Sequence, residues 1–350
     1  RGVKMDKSGN TRLNAGMRRD TPPRWRGCRD RNDDAVSSVV ALMLLLAVIA
    51  TFLSLYATTY VPGLKEQSEI DRTNTVKEAF VGFSSDVEHI VYKKAGGVSY
   101  GYSVPLGAGD VLMSPEKSSG MLSVKDLGKF AWIDATQNVG GVDVVTEIAN
   151  CSMVNVTFEP SYSFWEEQGY VWQYGYINVT KGARATPLEA YNMTDVLDPA
   201  SEFSFSPFAR QFIEFETKDD GSGNLLNLMV TVVNITPGQS TFTSGNGHAM
   251  LKVKAEVPKP NEGTEFQSIQ RLNFTFTNSS TDTVASNFSA NLRDKTEAYL
   301  DDLGNTYNTQ VELHGQIIDD QHDTITIPLK FLKTDVAVTI RTLTVYVSAS

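Results

Sequence analysis

Thirty consecutive residues, Ala35 to Leu64, carry no charged side chain. A segment of this kind is a discarded secretion signal, a membrane anchor, or a helix built to pack against copies of itself. Length separates the first option from the others. A helix of about 25 residues rises about 38 Å, more than the roughly 30 Å hydrocarbon core of a bilayer. A secretory signal has an apolar region of only about 7–15 residues ending at small residues, and Leu55-Tyr56-Ala57 is a poor cleavage site. The expectation is a retained transmembrane helix over residues 35–61.

Charge orients it. Residues 1–34 hold ten Lys and Arg against five Asp, a net of +5 within a chain whose total is −10. A short basic flank beside an apolar span stays on the cytoplasmic side, so the expected topology is single-pass, with a basic cytoplasmic leader (1–34) and an external C-terminal body. That body carries −15, which argues against nucleic acid as a partner, because phosphate binding needs a basic footprint. Cys28 and Cys151 fall on opposite sides of the span, so they do not pair within one chain.

Pro62-Gly63 is expected to interrupt the helix at the membrane exit. A helical pattern then resumes over a predicted stalk, residues 62–95. Ile70, Thr73, Val76, Phe80, Phe83, Val87, Ile90 and Val91 recur at spacings of three and four, giving one apolar stripe. Asp71, Arg72, Lys77, Glu78, Asp86 and Glu88 are assigned to the wet face. Such a helix suits either a stalk packed on its own domain or the spine of a filament subunit, and periodicity does not choose between them.

The stretch "DRNDDAVSSVVALMLLLAVIATFL" resembles the N-terminal segment of archaeal type IV pilin-like proteins, through Ala35, Val36, Ser37, Val39 and Val40 behind Arg29, Arg31, Asp33 and Asp34. Ser38 and Ala41 stand where that family often has Pro and Gly. The resemblance implies cleavage by a membrane prepilin peptidase on one side or the other of Ala35, next to Val36, with the leader lost and the helix kept. It also implies packing with other pilin-like subunits, for which Ala41, Ala47, Ala50, Ser54 and Ala57 offer small side chains. "SVPLGAGDVLMSPEKSSGMLSV" and "GYVWQYGYINVTKG" look more loosely like parts of archaeal membrane-anchored proteins with a large β ectodomain.

After about residue 95 the period changes to two. "MVNVTF", "GYVWQYGYINVT", "QFIEFET", "LNLMVTVVNIT", "AMLKVKAEV", "RLNFTFTN", "DTITIPL" and "VAVTIRTLTVYVS" are β-branched or aromatic runs bounded by turn residues. The expected class is α+β: the long N-terminal helix, then a mainly antiparallel β-sandwich ectodomain. "LDPASEFSFSPFA" marks either a soft boundary between a first β part (96–200) and a second (201–350) or a long connection within one domain, and "PKPNEG" reads as a loop. One additional helix is predicted near 285–303, where Phe288, Leu292, Ala298, Leu300 and Leu303 keep helical spacing and Gly304 supplies a stop.

Eight Asn-x-Ser/Thr sequons lie in the body, at Asn150, Asn155, Asn178, Asn192, Asn234, Asn273, Asn278 and Asn287, and are candidates for glycosylation on an external domain. "HGQIIDDQHD" gathers His314, Asp319, Asp320, His322 and Asp323, at no recognisable metal spacing. "KDDGSGN" reads as a hairpin turn rather than a calcium loop. "PLGAGD" is not followed by Lys-Ser/Thr, so it is no phosphate loop. No Gly-x-Ser-x-Gly elbow is present, and His89, His248, His314 and His322 have no base-like setting. Trp165, Trp172, Tyr174 and Tyr176 read as core rather than as a sugar-binding face. No cofactor, metal or enzymatic activity is expected. The expected function is that of a membrane-anchored, externally displayed structural protein of the pilin-like class, in surface filaments or adhesion. The alternative is a non-polymerising single-span protein with a ligand- or cell-binding ectodomain.

Overall fold

The computed structural model describes residues 31–107, 118–256, 263–278 and 281–350, with side chains from Ser37 onward. Cys28, most of the leader and all but one residue of "PKPNEG" lie outside the described residues. The chain is α+β, and it divides into two compact units between Leu55 and Tyr56.

The first unit is represented by α1 (Arg31–Leu55), which starts four residues ahead of Ala35. The second begins with a π-helical turn, Tyr56–Tyr60, followed by α2 (Val61–Lys93). The expected break at Pro62-Gly63 does not form. Proline removes a helical N–H and crowds the carbonyl four residues back. Here Pro62 sits in the first turn of α2, directly after the wider π turn, which is how a helix accommodates such a residue without ending.

Strands follow in chain order: β1 (Ser99–Pro105), β2 (Ser119–Val139), β3 (Val142–Ser161), β4 (Gln168–Gln173), β5 (Tyr176–Lys181), β6 (Arg184–Pro187), β7 (Ile213–Asp219) and β8 (Leu225–Gly245). They continue with β9 (His248–Glu256), β10 (Thr264–Phe266), β11 (Ile269–Thr277), β12 (Val311–Leu313), β13 (Ile317–Asp319), β14 (Thr324–Phe331) and β15 (Ala337–Ala349). Three further helices are α3 (Met193–Leu197), α4 (Ser206–Ala209) and α5 (Thr283–Thr306).

All fifteen described strands join one curled sheet, where two separate sheets of a sandwich were expected. The cause is the length of β2 and β8, 21 residues each. One end of β8 pairs with β15 and β7, and its other end, Phe242–Gly245, pairs with Gly120–Ser123 of β2. β2 also carries β3 on one side and β11 on the other. Its ladder with β3 slips at Asp126/Gly128, Lys129/Ala131 and Ile133/Asp134, and such bulges bend a strand. The β8–β15 pair is parallel, and the other described pairings are antiparallel. Because β2 pairs with both β8 and β11, the sequence boundary near 197–209 does not divide the fold, and residues 56–350 form one unit.

"GYVWQYGYINVT" is two strands rather than one run. Tyr174 (φ 49°) and Gly175 (φ 82°) form the two-residue turn between β4 and β5, and two successive positive φ values mark a type I′ hairpin. α5 continues through Gly304 to Thr306, so this glycine is not the stop. The side chain of Asp282 caps the helix by accepting the N–H groups of Val284 and Ala285, both at 3.0 Å. Phe288, Leu292, Leu300 and Leu303 are buried on its inner face, whereas Ala298 is exposed. Phe288 lies at the centre of a ring cluster, 5.2 Å from Phe130 and 5.0 Å from Tyr174 between centroids.

α2 covers the sheet with the stripe read from the sequence: Thr73, Val76, Phe80, Phe83, Val87, Ile90 and Val91 are buried, and Ile70 is half-buried. Phe83 meets Trp172 edge-on at 5.2 Å and Phe80 lies 5.8 Å from Tyr170. The Trp172 indole N–H donates to Ser84 Oγ at 3.0 Å. At the far end, Lys94 takes a left-handed conformation (φ 50°) and its ammonium donates to the carbonyls of Val91 (2.8 Å) and Gln211 (2.5 Å). Burial pushes its pKa down to about 8, with Glu214 opposing that shift.

Two outcomes follow from this packing. Phe83→Ala removes a fully buried ring and is expected to cost about 3–5 kcal/mol in denaturant unfolding of the full chain. Lys94 bears on pH dependence: between about pH 8 and 10.5 the native amine has lost its proton while the unfolded amine still holds it, so its contribution to stability rises with pH. The unfolding free-energy difference between wild type and Lys94→Met should therefore shift towards wild type from pH 7 to pH 10; a flat difference would refute the assignment.

Candidate functional site

In α1 every side chain from Ser37 to Leu55 is exposed, including Leu42, Met43, Leu44 and Phe52. Apolar groups surround the helix on all sides, the pattern of a segment solvated by lipid or by other helices rather than by water. Among the described residues, the continuous helical run containing it is the one long and apolar enough to cross a membrane. The Thr51 hydroxyl donates to the Ala47 carbonyl at 2.7 Å, which satisfies the hydroxyl within the helix.

The small residues are not equivalent. At 100° per residue, Ala47, Ala50 and Ser54 fall within about 60° of arc, and Ala41 lies well away from them. Leu44, Ala47, Val48, Thr51, Phe52 and Leu55 line a notch on one side of the helix, the kind of depression that admits a ridge from a neighbouring helix. Ala57 belongs to the π turn of the second unit and is exposed. Ala35 and Val36 lie in the first turns of α1.

The second unit contains the attachment that the sequence reading missed. Lys65, Glu69 and Arg72 are buried near the start of α2, although Arg72 had been assigned to the wet face. They continue the apolar stripe at i, i+4 and i+7, and they turn towards the loop after β3. Glu69 accepts the backbone N–H groups of Ser163 (3.2 Å), Phe164 (3.0 Å) and Trp165 (2.8 Å). The Lys65 ammonium stands 4.8 Å from the centre of the Phe164 ring, and the Arg72 guanidinium 5.8 Å from that of Tyr162. Arg72 also donates to Ser118 Oγ at 2.7 Å. Desolvation lowers the Arg72 pKa, with Tyr162 and Glu69 opposing the shift. The signal was present in the spacing, but a charged side chain is usually read as solvated.

The other predicted residues are spread over the second unit. Asn192 and Asn278 are exposed; Asn150, Asn155, Asn234, Asn273 and Asn287 are half-buried. Asn192 caps α3, accepting the N–H of Asp195 at 3.1 Å. Asn178 is buried within β5 at 9% exposure, and its Oδ1 has no hydrogen-bond partner. A glycan could not be attached there without displacing the strand's surroundings. Trp172, Tyr174 and Tyr176 are buried as expected, whereas Trp165, on the loop after β3, is exposed and not core.

The His-Asp run becomes the β13–β14 turn. Asp319 accepts the N–H groups of Gln321 (3.0 Å) and His322 (3.2 Å) and meets His322 Nδ1 at 2.7 Å, and His322 holds the Asp319 carboxyl below its usual range. Asp220 organises the β7–β8 hairpin, accepting from Ser222 and Asn224. His89, His248, His314 and His322 are all exposed. Among the described residues no group of three or more His, Cys, Asp or Glu side chains is arranged to hold a metal ion. Cys151 is buried, and burial pushes its thiol well above the usual range.

Glu69→Gln leaves the three loop N–H groups facing an amide that is only half acceptor. It is expected to cost about 3 kcal/mol of stability and to speed amide exchange at Ser163, Phe164 and Trp165; unchanged protection at those three amides would refute the anchoring role. No family model matches the chain, and neither a curated protein nor a solved structure resembles it.

Proposed function

We propose that this chain is a membrane-anchored structural protein of the archaeal type IV pilin-like class, displayed outside the cell by α1 and assembled through that helix with other pilin-like subunits. The observation that carries the reading is α1 itself: uncharged from Ala35, apolar all round and exposed along its length. Tyr56 and Tyr60, with ring centroids 5.4 Å apart, end the apolar span where aromatic residues favour a membrane interface. The basic residues ahead of Arg31 favour a cytoplasmic N-terminus. Prepilin-type cleavage beside Ala35 and Val36 releases the leader, and the face of Ala47, Ala50 and Ser54 then meets neighbouring helices. The exposed sequons at Asn192 and Asn278 are the positions best placed to carry glycans.

The second reading keeps the anchor without polymerisation. It is favoured by the same even distribution of large apolar side chains around α1, which lipid alone satisfies.

Mass spectrometry of the mature protein tests the first reading. The expected N-terminus is at or beside Ala35, and an intact basic leader counts against processing. In cells that overexpress the protein, electron microscopy should show added filaments that Ala47→Leu/Ala50→Leu abolishes while membrane insertion persists. Processed protein without filaments supports the second reading.

A further inference from the structure

α2, the β4–β5 turn, the segment following β6 and the α3–α4 region enclose a cleft of about 500 Å3 within the second unit. Its size falls among ligand pockets, which run to roughly 300–1,000 Å3. The apolar part of its lining mixes aliphatic side chains, Val81, Ile177, Leu188 and Val196 among them, with the rings of Tyr176, Phe203, Phe205 and Phe208. Gly175 lets the β4–β5 turn pack directly on the Phe208 ring, from which a Cβ at this position would stand 2.4 Å.

The charge on this lining has one sign. Glu88, Glu189 and Glu202 all line the cleft, and no Lys, Arg or His does. Glu88 is reached by water, yet protein surrounds its carboxyl enough for desolvation to raise its pKa, with the negative charge of Glu189 adding to the effect. The Ser84 hydroxyl reaches that carboxyl only across 3.5 Å, and the Gly175 carbonyl competes for its proton at the same distance, so it offers Glu88 little compensation. The site sets the exposed ring of Phe203, of the kind that attracts a cation within about 6 Å of its centre, beside carboxylates that lack a basic neighbour on the lining. A bare metal ion would use neither the rings nor the apolar volume.

We propose that this cleft binds an organic ammonium ion with a short apolar stem, its charge held by Glu88 and Glu189 and its stem lying against Phe203 and Phe205. The site lies wholly in the second unit and does not depend on whether the chains polymerise.

Isothermal titration of the full chain in non-ionic detergent with n-butylammonium chloride tests it, with sodium butyrate as the anion of matched stem and detergent alone as the blank. The expected result is saturable one-to-one binding of the ammonium and none of the carboxylate. Glu88→Gln should weaken binding at least tenfold while retaining or raising the unfolding midpoint at pH 7, because it removes a desolvated charge. Glu189→Gln, on an exposed residue, provides a second reading with little risk to folding and should also weaken binding, and Phe203→Ala should weaken it several-fold. Glu78→Gln, on the outer side of α2, should leave it unchanged. Absence of saturation, equal binding of butyrate, or full affinity in both glutamine variants overturns the proposal.

Discussion

The second unit depends on α2 staying seated along the sheet from end to end. Phe80 and Phe83 insert against Tyr170 and Trp172, and the Trp172 N–H is satisfied by Ser84 on the same helix. Dispersion and burial supply the energy there. At the two ends the helix is tied by polar groups instead: Glu69 to three successive amides of the Ser163–Trp165 loop, and Lys94 to the Gln211 carbonyl. Apolar contact alone would let the helix slide by a turn. Charge-assisted hydrogen bonds to fixed backbone groups define the register, since losing them leaves buried charges uncompensated.

Curling the sheet gives α2 and α5 surfaces to cover. β2 and β8 each serve in more than one part of the sheet, and the slips in the β2–β3 ladder provide the bend. α5 fills the inside of the second unit with Phe288, around which Phe130, Tyr174, Phe205 and Phe212 converge. The acidic cleft is bounded on one side by α2 and on the other by the short helical region around α4. Its geometry thus depends on the same helix seating that the terminal polar ties hold in place.

Much of the architecture was legible from periodicity. The stripe from Thr73 to Val91 is the buried face of α2, because helical spacing of apolar residues leaves one solution when a sheet lies beneath them. The quoted β-branched and aromatic runs fall in strands for the same kind of reason. Arg72 was misassigned because residue type was allowed to outweigh phase: its position is in register with Val76 and Phe80. The whole of β2 was missed, because Lys125, Asp126 and Gly128 interrupt the alternation at the place where the strand bulges. The cleft could not be read at all, since its walls come from stretches around residues 81–88, 175–177, 187–190 and 202–208.

By itself the sequence determined the local properties of this chain: an uncharged span of thirty residues, an amphipathic helix behind it, and a body of short β-forming runs. These follow from spacing and side-chain chemistry within a few turns or residues. Only the tertiary structure decided that the strands close into one curled sheet, that Pro62 is absorbed without a break, and that Lys65, Glu69 and Arg72 are anchors. The sheet and the anchors depend on groups far apart in the chain, such as Glu69 and the amides of residues 163–165, whose meeting is set by packing and hydrogen-bond satisfaction and not by sequence proximity.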